Sequence, residues 1–375
     1  MLQTVTAKLK IVVSDSQKQI LLDTMKAYSN ACNMVSEFVF EHHDLKRYHI
    51  HEELYPLIRE RYQLKSQMAE SCIRTVVAAY QSILTNQKEW IKPDFQRPQL
   101  DLVWNRDYSL KRNADIFSVN TLKGRIKLPF CKKGFERYFT EECRFGTAKL
   151  VTKHGKFFLY VPVTYEVQEL KKEEITNVVG IDRGIRFLSV TYDSQGKTGF
   201  YDGRSVKQKR AHYKALRKEL QQIGTPSSRR RIRAIGQRET RWMHDVNHCI
   251  SKALTDHYPE GTLFVLEDLT GIRSATERVR TKDRYVSVSW SYYDLEQKLS
   301  YKALRNHQLV EKVSPKYTSQ TCPKCNHTEK QNRNKHLHLF CCRKCGYRSN
   351  DDRIAALNLH RLGIELTVPD AVAEE

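Results

Sequence analysis

The sequence lacks any run of about 18 consecutive apolar residues, the length that a membrane-spanning helix needs. Its first residues alternate polar and apolar side chains and contain no apolar core of a signal peptide. These two absences argue against a membrane span and against export. We therefore expect a cytosolic protein with no membrane partner.

Acidic residues are in short supply, with 43 Asp and Glu against 64 Lys and Arg, which gives a net charge of +21 and a pI near 9.5. Such a surplus exceeds what solubility requires and favours a polyanionic partner, above all nucleic acid. Between Arg204 and Arg241, thirteen basic residues face only Glu219 and Glu239, too few acids for pairing within a helix. The alternative is a solvated helix face. We predict phosphate contacts from this segment, made by Arg204, Lys207, Lys209, Arg210, Arg229, Arg230, Arg231 and Arg233.

Disulfides are not expected in a reducing compartment, so the cysteines need another explanation. Five of the ten are scattered, and five lie together near residues 322–345, where four of them form the motif CPKC-x16-CRKC. Paired CxxC motifs can form a closed tetrahedral zinc shell, which leaves no position for water and is therefore structural. The predicted ligands are Cys322, Cys325, Cys342 and Cys345, with Cys341 as the odd thiol and His327, His336 and His338 as alternative ligands.

The chain changes character along its length. A capping box at Ser14 and Gln17 starts a helical region that extends to about residue 90, and β-type alternation then dominates residues 100–165. We interpret the first half as a small β-barrel with a helical insertion. Short strands follow in VVGIDRGI, FLSVTYD and TGFYDG, then the basic helical region, the strand TLFVLED, a polar stretch expected to be a mobile loop (GIRSATERVRTKDR) and the strand LVEKVSP.

Three acids stand at comparable positions in the second half. Asp182 lies in the first of these strands, Glu267 ends an apolar strand, and Asp352 begins the helix DDRIAALNLHRLG. Converging carboxylates bind the hard cation Mg²⁺, and a pair of such ions promotes phosphodiester cleavage. The order of strands, helix, strand and late helix follows the RNase H-like arrangement of RuvC nucleases, with the cysteine motif inserted before the last helix.

The motifs together resemble TnpB, the RNA-guided DNA endonuclease encoded by bacterial insertion sequences. The resemblance is carried by GIDRGI, VLEDL, YKALRNHQLVEKVSPKYTSQTCPKCN and FCCRKCGYRSNDDRIAALN, and it spans most of residues 178–360. It implies that Asp182, Glu267 and Asp352 hold two Mg²⁺ ions at the cleavage site, although Asp351 is a rival for the third position. It also implies structural Zn²⁺, a guide RNA from the transposon end, double-stranded target DNA and a monomer in the prokaryotic cytosol.

The resemblance further implies a division of the chain into an α/β nuclease and preceding α and β regions. We expect a β-barrel wedge domain (1–13 and 95–170), a helical recognition domain (14–94) and a RuvC-like, RNase H-like nuclease domain (171–320 and 351–365). A zinc ribbon that contacts the target nucleic acid (321–350) and a frayed tail (366–375) complete the division. The sequence departs from the family at Arg183, Asn326 and Ile354.

Other functions share parts of this pattern. A miniature type V CRISPR effector has the same nuclease and ribbon but takes its guide from a repeat array. A transposon-derived regulator would bind DNA without cutting, and a true transposase would transfer strands without a guide. The presence of all three acids favours an active nuclease. Aromatic residues near the basic regions, namely Trp242, Trp290, Tyr292 and Tyr293, are candidates for base stacking, although core packing is the more common role.

Overall fold

The computed structural model describes residues 1–87, 89–97, 99–184, 186–269, 292–335 and 337–367. These residues form two compact units, one of residues 2–166 and one that extends from residue 167 onward and includes Met1. Across the described ranges, no helix is both long and apolar enough to cross a membrane. The stretch GIRSATERVRTKDR, Trp290, His336 and residues 368–375 of the expected tail lie outside the described residues.

Three helices make up the helical part of the first unit: α1 (Asp15–His42), α2 (Arg47–Tyr62) and α3 (Ser66–Gln87). The predicted capping box is confirmed, because Gln17 N donates to Ser14 Oγ (3.3 Å) and Ser14 N donates to Gln17 Oε1 (3.0 Å). The predicted apolar face of α1 is also confirmed as core. Its members Leu21, Met25, Tyr28, Cys32, Val35 and Val39 are all buried.

An eight-stranded sheet forms the rest of the first unit. Its strands are β1 (Leu2–Ile11), β2 (Gln99–Leu102), β3 (Tyr108–Lys111), β4 (Ile116–Thr121), β5 (Gly124–Cys131), β6 (Arg144–Phe145), β7 (Ala148–Lys153) and β8 (Lys156–Glu166). The order is β2-β7-β8-β1-β5-β4-β3, with β6 beside β8. The two edge strands, β2 and β3, are joined only by residues 103–107, so the sheet curls into a nearly closed barrel. The first strand begins earlier than the predicted residues 7–13, because Leu2 already pairs with Glu166.

A five-stranded sheet is the centre of the second unit. Its strands are β9 (Asn177–Asp182), β10 (Phe187–Asp193), β11 (Thr198–Asp202), β12 (Thr262–Glu267) and β13 (Leu309–Val313), in the order β11-β10-β9-β12-β13. Strand β10 is antiparallel to both of its neighbours, β9 and β11, whereas β9, β12 and β13 run parallel. Parallel neighbours end at the same edge of a sheet. The ends of β9 and β12 are therefore adjacent.

In the described part of this unit, the helices that accompany the sheet are α4 (Arg204–Ile223), α5 (Pro226–His257), α6 (Tyr292–Arg305) and α7 (Asp351–Thr367). The first two form a hairpin, in which Gly224 ends α4 at a φ of 67° and Thr225 caps α5. Helix α7 packs closely on β9, because a Cβ on Gly180 would lie 2.0 Å from the Ala356 carbonyl oxygen. Gly180 thus allows the backbones of strand and helix to touch.

A small three-stranded antiparallel sheet lies between β13 and α7 in the chain, formed by β14 (Arg333–Asn334), β15 (Leu339–Cys341) and β16 (Arg348–Asn350). We call residues 321–350 the cysteine insert. Its apolar core contains Cys322, Phe340 and Cys342, and Ile354 of α7 packs into the same core. The departure from the family at Ile354 therefore joins the insert to the helix that begins with Asp351 and Asp352.

Candidate active site and metal centre

Asp182 and Glu267 are the last residues of β9 and β12. Since Leu266 pairs with Ile181 in parallel register, the two acids follow on adjacent strands at one edge of the sheet. Burial raises the pKa of Asp182 well above its usual value, and the nearby charges of Glu267 and Asp352 raise it further. The sequence predicted that these three acids converge, and the register places Asp182 and Glu267 at adjacent strand ends.

Asp352 lies in the first turn of α7, with Asp351 before it, and both side chains are buried. Burial raises the pKa of Asp352, and the Asp351 charge adds to the effect. The two acids differ in their partners. Asp351 accepts hydrogen bonds on both oxygens, from Arg333 Nε (2.7 Å) and from the Asp352 backbone N–H (3.1 Å). Among the described residues, the Asp352 carboxylate has longer charge contacts, with Arg333 Nη2 at 3.7 Å and His338 Nδ1 at 3.8 Å.

The position of Glu267 is fixed by two residues to which the sequence analysis gave no role at the site. The buried Thr318 donates its hydroxyl proton to Glu267 Oε1 at 2.5 Å. The guanidinium of Arg183 donates to the Glu267 carbonyl oxygen at 2.5 Å and to Glu296 Oε2 at 3.3 Å. The family departure at Arg183 therefore places a buried cation that ties the end of β9 to the end of β12 and to α6.

Two residues of the cysteine insert contact the acids, a role that the sequence analysis did not predict: it did not single out Arg333 and named His338 as an alternative zinc ligand. Arg333 and His338 both face the Asp351–Asp352 pair, and His338 Nδ1 lies 3.4 Å from Asp351 Oδ1. Arg333 also donates to Ser319 Oγ at 3.0 Å, so it connects the two segments that flank the insert. No motif marks either residue, because they act through contacts between segments that are distant in sequence.

The arrangement of acids bears on metal binding. Among the described residues, the ligand atoms of His338, Asp351 and Asp352 lie within 4.8 Å of one another, but those of Asp182, Glu267 and Asp352 do not all do so. A two-ion site does not require such a tight trio, because its ions lie about 3.5–4 Å apart and each can take a different pair of acids. The oxygen donors of Asp182, Glu267 and Asp352 are the ligand type that Mg²⁺ prefers.

The four predicted zinc ligands come together. The sulfur atoms of Cys322, Cys325, Cys342 and Cys345 all lie within 4.8 Å of one another, with Cys322 Sγ 3.6 Å from Cys345 Sγ and Cys325 Sγ 3.5 Å from Cys342 Sγ. Four thiols at these distances without a bond fit the shell of a tetrahedral Zn²⁺ ion. Cys341 and the histidines His327 and His338 are not members of this group.

Each CxxC pair is followed by a residue in the left-handed region of backbone conformation. Gly346 has a φ of 71° after Cys345, and Asn326 has a φ of 55° after Cys325. Asparagine is one of the few non-glycine residues that tolerate this conformation. Asn326 Oδ1 also accepts a hydrogen bond from Arg361 of α7 at 3.2 Å. The family departure at Asn326 therefore preserves the turn and adds a link to α7.

The predicted phosphate-contacting residues divide into two groups. Seven of the eight are exposed on the α4–α5 hairpin: Arg204, Lys207, Lys209, Arg229, Arg230, Arg231 and Arg233. Arg210 is different, because it is buried and lies 3.6 Å from Glu239, which Arg217 also contacts. A buried guanidinium beside a carboxylate cannot reach a phosphate, so the prediction for Arg210 is corrected to an ion pair between the two helices.

The aromatic candidates also differ in their placement. Trp242 and Tyr292 are partly buried and pack against the apolar core of the second unit. Lys209 Nζ lies 4.4 Å from the centre of the Trp242 ring. Tyr293 is exposed over 70% of its surface. Trp242 and Tyr292 therefore pack against the core, which is the more common role of aromatic residues, and not on a free surface.

Two protein families match parts of the chain. The family described as "Probable transposase" matches residues 160–270, and the family described as "Cas12f1-like, TNB domain" matches residues 292–359. The first match includes Asp182 and Glu267, and the second includes all four clustered cysteines and Asp352. The two matches thus cover the candidate active site and the metal centre.

Curated relatives are 28–31% identical to this chain over the aligned regions. The CRISPR-associated endodeoxyribonuclease Cas12f1 of Syntrophomonas palmitatica is 28% identical over 52% of this chain and 40% of its own length. The putative RNA-guided DNA endonuclease InsQ of Escherichia coli is 28% identical over 64% of this chain and 62% of its own. A TnpB-like protein of Methanocaldococcus jannaschii is 31% identical over 33% of this chain and 44% of its own. The aligned regions span less than two thirds of the length of these relatives.

Solved structures share the fold over most of the chain. A Cas12f1–sgRNA–target DNA complex superposes with a TM-score of 0.60 and 15% identity, covering 92% of this chain and 81% of that one. The mini-RNA-guided endonuclease CRISPR-Cas_phi3 gives a TM-score of 0.51 and 11% identity, covering 98% and 93%. The fold is therefore that of Cas12-type effectors. Together with the family matches, this confirms the resemblance that the motifs predicted: the chain is similar to TnpB-like and Cas12f1 proteins.

Proposed function

We propose that this protein is an RNA-guided DNA endonuclease of the transposon-associated TnpB type, which cuts target DNA by two-metal phosphodiester hydrolysis. The observation that carries the proposal is the meeting of Asp182 and Glu267 at adjacent strand ends, with Asp352 close enough to perturb Asp182. The relatives named RNA-guided or CRISPR-associated DNA endonucleases support the same activity.

The nuclease part of the proposal assigns an RNase H-like, RuvC-type fold to the second unit. The strand order β11-β10-β9-β12-β13 supports it, with three antiparallel strands followed by two parallel ones and α7 packed on β9. In this assignment residues 321–350 are a zinc ribbon inserted into the nuclease. The barrel and helices of residues 2–166 would be the wedge and recognition regions that grip the guide RNA.

In the proposed site, Asp182, Glu267 and Asp352 are ligands of Mg²⁺. Bound Mg²⁺ ions would supply an activated water and neutralise the charge of the leaving oxygen. Asp352 is preferred over Asp351 as the third ligand, because Asp351 already accepts two hydrogen bonds. Thr318 and Arg183 hold Glu267 in place, and Arg333 neutralises Asp351, so that the acids remain close together before any ion binds.

The proposed partners follow from charge and from the relatives. Exposed basic residues of the α4–α5 hairpin would contact the phosphates of a guide RNA and of target DNA, while base pairing with the guide selects the sequence. The guide would come from the transposon end, and the protein would act as a monomer in the prokaryotic cytosol. Zn²⁺ bound by Cys322, Cys325, Cys342 and Cys345 would stabilise the insert without taking part in cleavage.

The test is to purify the protein from its native locus, sequence the RNA that accompanies it, and assay cleavage of matching DNA with Mg²⁺. We expect Asp182→Ala to abolish cleavage while RNA binding persists. Asp202→Ala, an acid at the end of β11 in the same sheet, is the matched control and should cleave normally.

The other functions predict different results in the same experiment. A CRISPR effector would carry RNA from a repeat array, and a regulator would bind DNA without cutting it. A transposase would join strands without RNA. Cleavage that survives Asp182→Ala would remove the proposed site altogether.

A further inference from the structure

A groove runs between the exposed faces of α4 and α5, with a cavity of about 440 Å³. Helix α4 contributes Lys209, His212, Tyr213 and Leu216, and helix α5 contributes Arg231, Ala234, Ile235 and Arg238. Within each helix these positions follow the spacing i, i+3, i+4 and i+7, so each set is one continuous face. The groove is therefore a regular feature of the antiparallel hairpin, built by two matching faces.

The groove carries positive charge without a balancing acid. Lys209, Arg231 and Arg238 line it, and none of its lining residues is acidic. The nearest acid in sequence, Glu239, is buried and is engaged by Arg210 and Arg217. The lining cations consequently have no carboxylate partner in the part of the chain that the structure describes. Such an uncompensated concave surface attracts a phosphate group.

The same groove has an apolar floor and aromatic walls. Ile235 is buried and Leu216 partly buried, and the rings of His212 and Tyr213 lie side by side with their centres 6.1 Å apart. The ammonium group of Lys209 lies over the Trp242 ring, 4.4 Å from its centre. A phosphate alone would not use apolar and aromatic surface. A flat ring attached to a phosphate would use both parts of the groove.

We propose that this groove binds one unpaired nucleotide of a bound nucleic acid. The base would lie against Tyr213 and the apolar floor, and the adjacent phosphates would contact Lys209, Arg231 and Arg238. A double helix would not fill the groove in this way, because its bases are stacked on one another and face inward. The inference depends on the nucleic-acid-binding part of the proposed function and is independent of the cleavage chemistry.

The ring of Tyr213 can be tested with a single-stranded 12-nucleotide RNA that contains one 2-aminopurine, whose fluorescence falls when it stacks on an aromatic side chain. With the full-length protein, we expect Tyr213→Ala to weaken binding about tenfold and to remove the quenching, in keeping with the usual effect of losing one stacking partner. Tyr213→Phe keeps the ring and should behave as the unchanged protein.

The charge contribution needs its own comparison. Arg238→Gln and Lys218→Gln each remove one positive charge from the hairpin, but Lys218 is an exposed residue of α4 outside the groove. We expect the first to weaken single-strand binding more than the second. A fully paired RNA duplex of the same sequence should respond equally to both. Thermal melting of each variant identifies any that fail to fold, and the comparison of quenching by the unchanged protein in single-stranded and in fully paired RNA then carries the test; equal quenching in both would overturn the proposal.

The same oligonucleotide made as DNA identifies the source of the nucleotide. Quenching with RNA alone would indicate the guide, and quenching with DNA alone would indicate an unpaired strand of the target. Quenching with both would show that the groove contacts the base and the phosphate and does not discriminate between the two sugars. The proposal is overturned if neither strand is quenched, or if Tyr213→Ala and Tyr213→Phe bind equally. Neither result would affect the Asp182→Ala test.

Discussion

Glu267 receives its hydrogen bond from Thr318, a residue that lies well beyond it in the chain, between β13 and the cysteine insert. Thr318 is itself held, since its carbonyl oxygen accepts a hydrogen bond from the Asn358 side chain of α7 at 2.7 Å. Three segments thereby determine where the Glu267 carboxylate points. The orientation of this ligand is a property of contacts between side chains and not of the VLEDL motif.

Replacing Thr318 by valine keeps the volume and removes the hydroxyl. We expect Thr318→Val to lower the single-turnover cleavage rate about 10- to 100-fold, because a ligand that is free to rotate no longer stays in its productive geometry. Loss of the hydrogen bond should reduce the free energy of unfolding by about 1 kcal/mol. Thr318→Ser retains the hydroxyl and should keep most of the rate. Equal rates for the valine and serine variants would show that the hydrogen bond is unimportant.

The raised pKa of Asp182 makes a prediction about stability without added magnesium. A carboxyl group whose pKa is higher in the folded state stabilises the protein while it is protonated, and this contribution is lost as the pH rises through the raised pKa. Near neutral pH, Asp182→Asn should therefore increase the free energy of unfolding, by an amount on the order of 1 kcal/mol. Below the ordinary pKa range of Asp, the two proteins should be equally stable.

The measurement is urea unfolding across this pH range in buffer that contains no added magnesium but retains zinc. Added Mg²⁺ should reverse the order at neutral pH, because the ions favour the ionised acid. A variant that is less stable than the unchanged protein at neutral pH would contradict the assignment of Asp182 to a crowded acidic cluster.

The residues that belong to a recognisable motif could be predicted from the sequence. The spacing of the paired cysteines indicates a thiolate site. The positions of Asp182, Glu267 and Asp352 at strand ends and a helix start, within family motifs, allowed them to be proposed. Thr318, Arg333 and His338 could not, because an isolated hydroxyl, guanidinium or imidazole has many roles. Arg210 was misassigned for a related reason, since a count of charges does not show which of them a neighbouring helix buries.

At the scale of elements, β9 and α7 are held at a distance that only glycine permits. A Cβ at Gly180 would meet backbone atoms of Ala356 and His360, which cannot move aside as a flexible side chain can. Periodicity predicted both the strand and the helix, but it could not predict that their backbones touch. The sequence contains Gly180 within the GIDRGI motif, where its role is packing and not a turn.

Gly180→Ala should consequently lower the free energy of unfolding by about 1–3 kcal/mol, the usual cost of forcing extra volume into a packed interior. Gly236 is the matched control, because it lies inside α5 and an added Cβ would meet nothing within 4 Å. Gly236→Ala should stabilise the protein by up to about 1 kcal/mol, since alanine favours helix. Chemical denaturation of both variants measures the difference, and an unchanged stability for Gly180→Ala would refute the close contact.

The cysteine insert has so small an apolar core that its order should depend on the metal. Cys342→Ser, or removal of zinc with a chelator, is expected to disorder the insert and to release Arg333 and His338 from Asp351 and Asp352. Cleavage should fall at least tenfold even at saturating Mg²⁺. Cys341→Ser is the control, because Cys341 is not one of the four clustered thiols, and it should retain both zinc and activity. Zinc content and cleavage measured on the same samples test the link.

At the scale of the whole molecule, the basic residues behind the net charge of +21 have two different environments. Inside the second unit, ion pairs with acids engage Arg210, Arg183 and Arg333. On the hairpin, the exposed residues are Arg229, Arg230, Arg231 and Arg233. Composition alone could predict that the partner is a polyanion. It could not assign each charge to the interior or to the surface, because that depends on how α4 and α5 pack.

Salt dependence distinguishes these two uses of arginine. Each phosphate contact contributes about one unit to the slope of log affinity against log salt concentration. Arg229→Gln together with Arg230→Gln should reduce this slope for RNA binding by about two. Arg210→Gln should leave the slope unchanged and lower the melting temperature instead, because it leaves Glu239 with one fewer partner. Equal slopes for the double variant and the unchanged protein would contradict phosphate contacts by Arg229 and Arg230.

The position of Asp352 at the start of α7, after the insert and far from Asp182 and Glu267 in the chain, has a consequence for synthesis. A polypeptide emerging from the ribosome can form the pairs of β9 with β10 and β12 well before α7 exists to cover Gly180. Until then it can hold two of the acids but not the third. If the proposed site is correct, such a nascent chain would be inert toward DNA, and the proposed cutting activity would arise only after the insert has folded and α7 has docked.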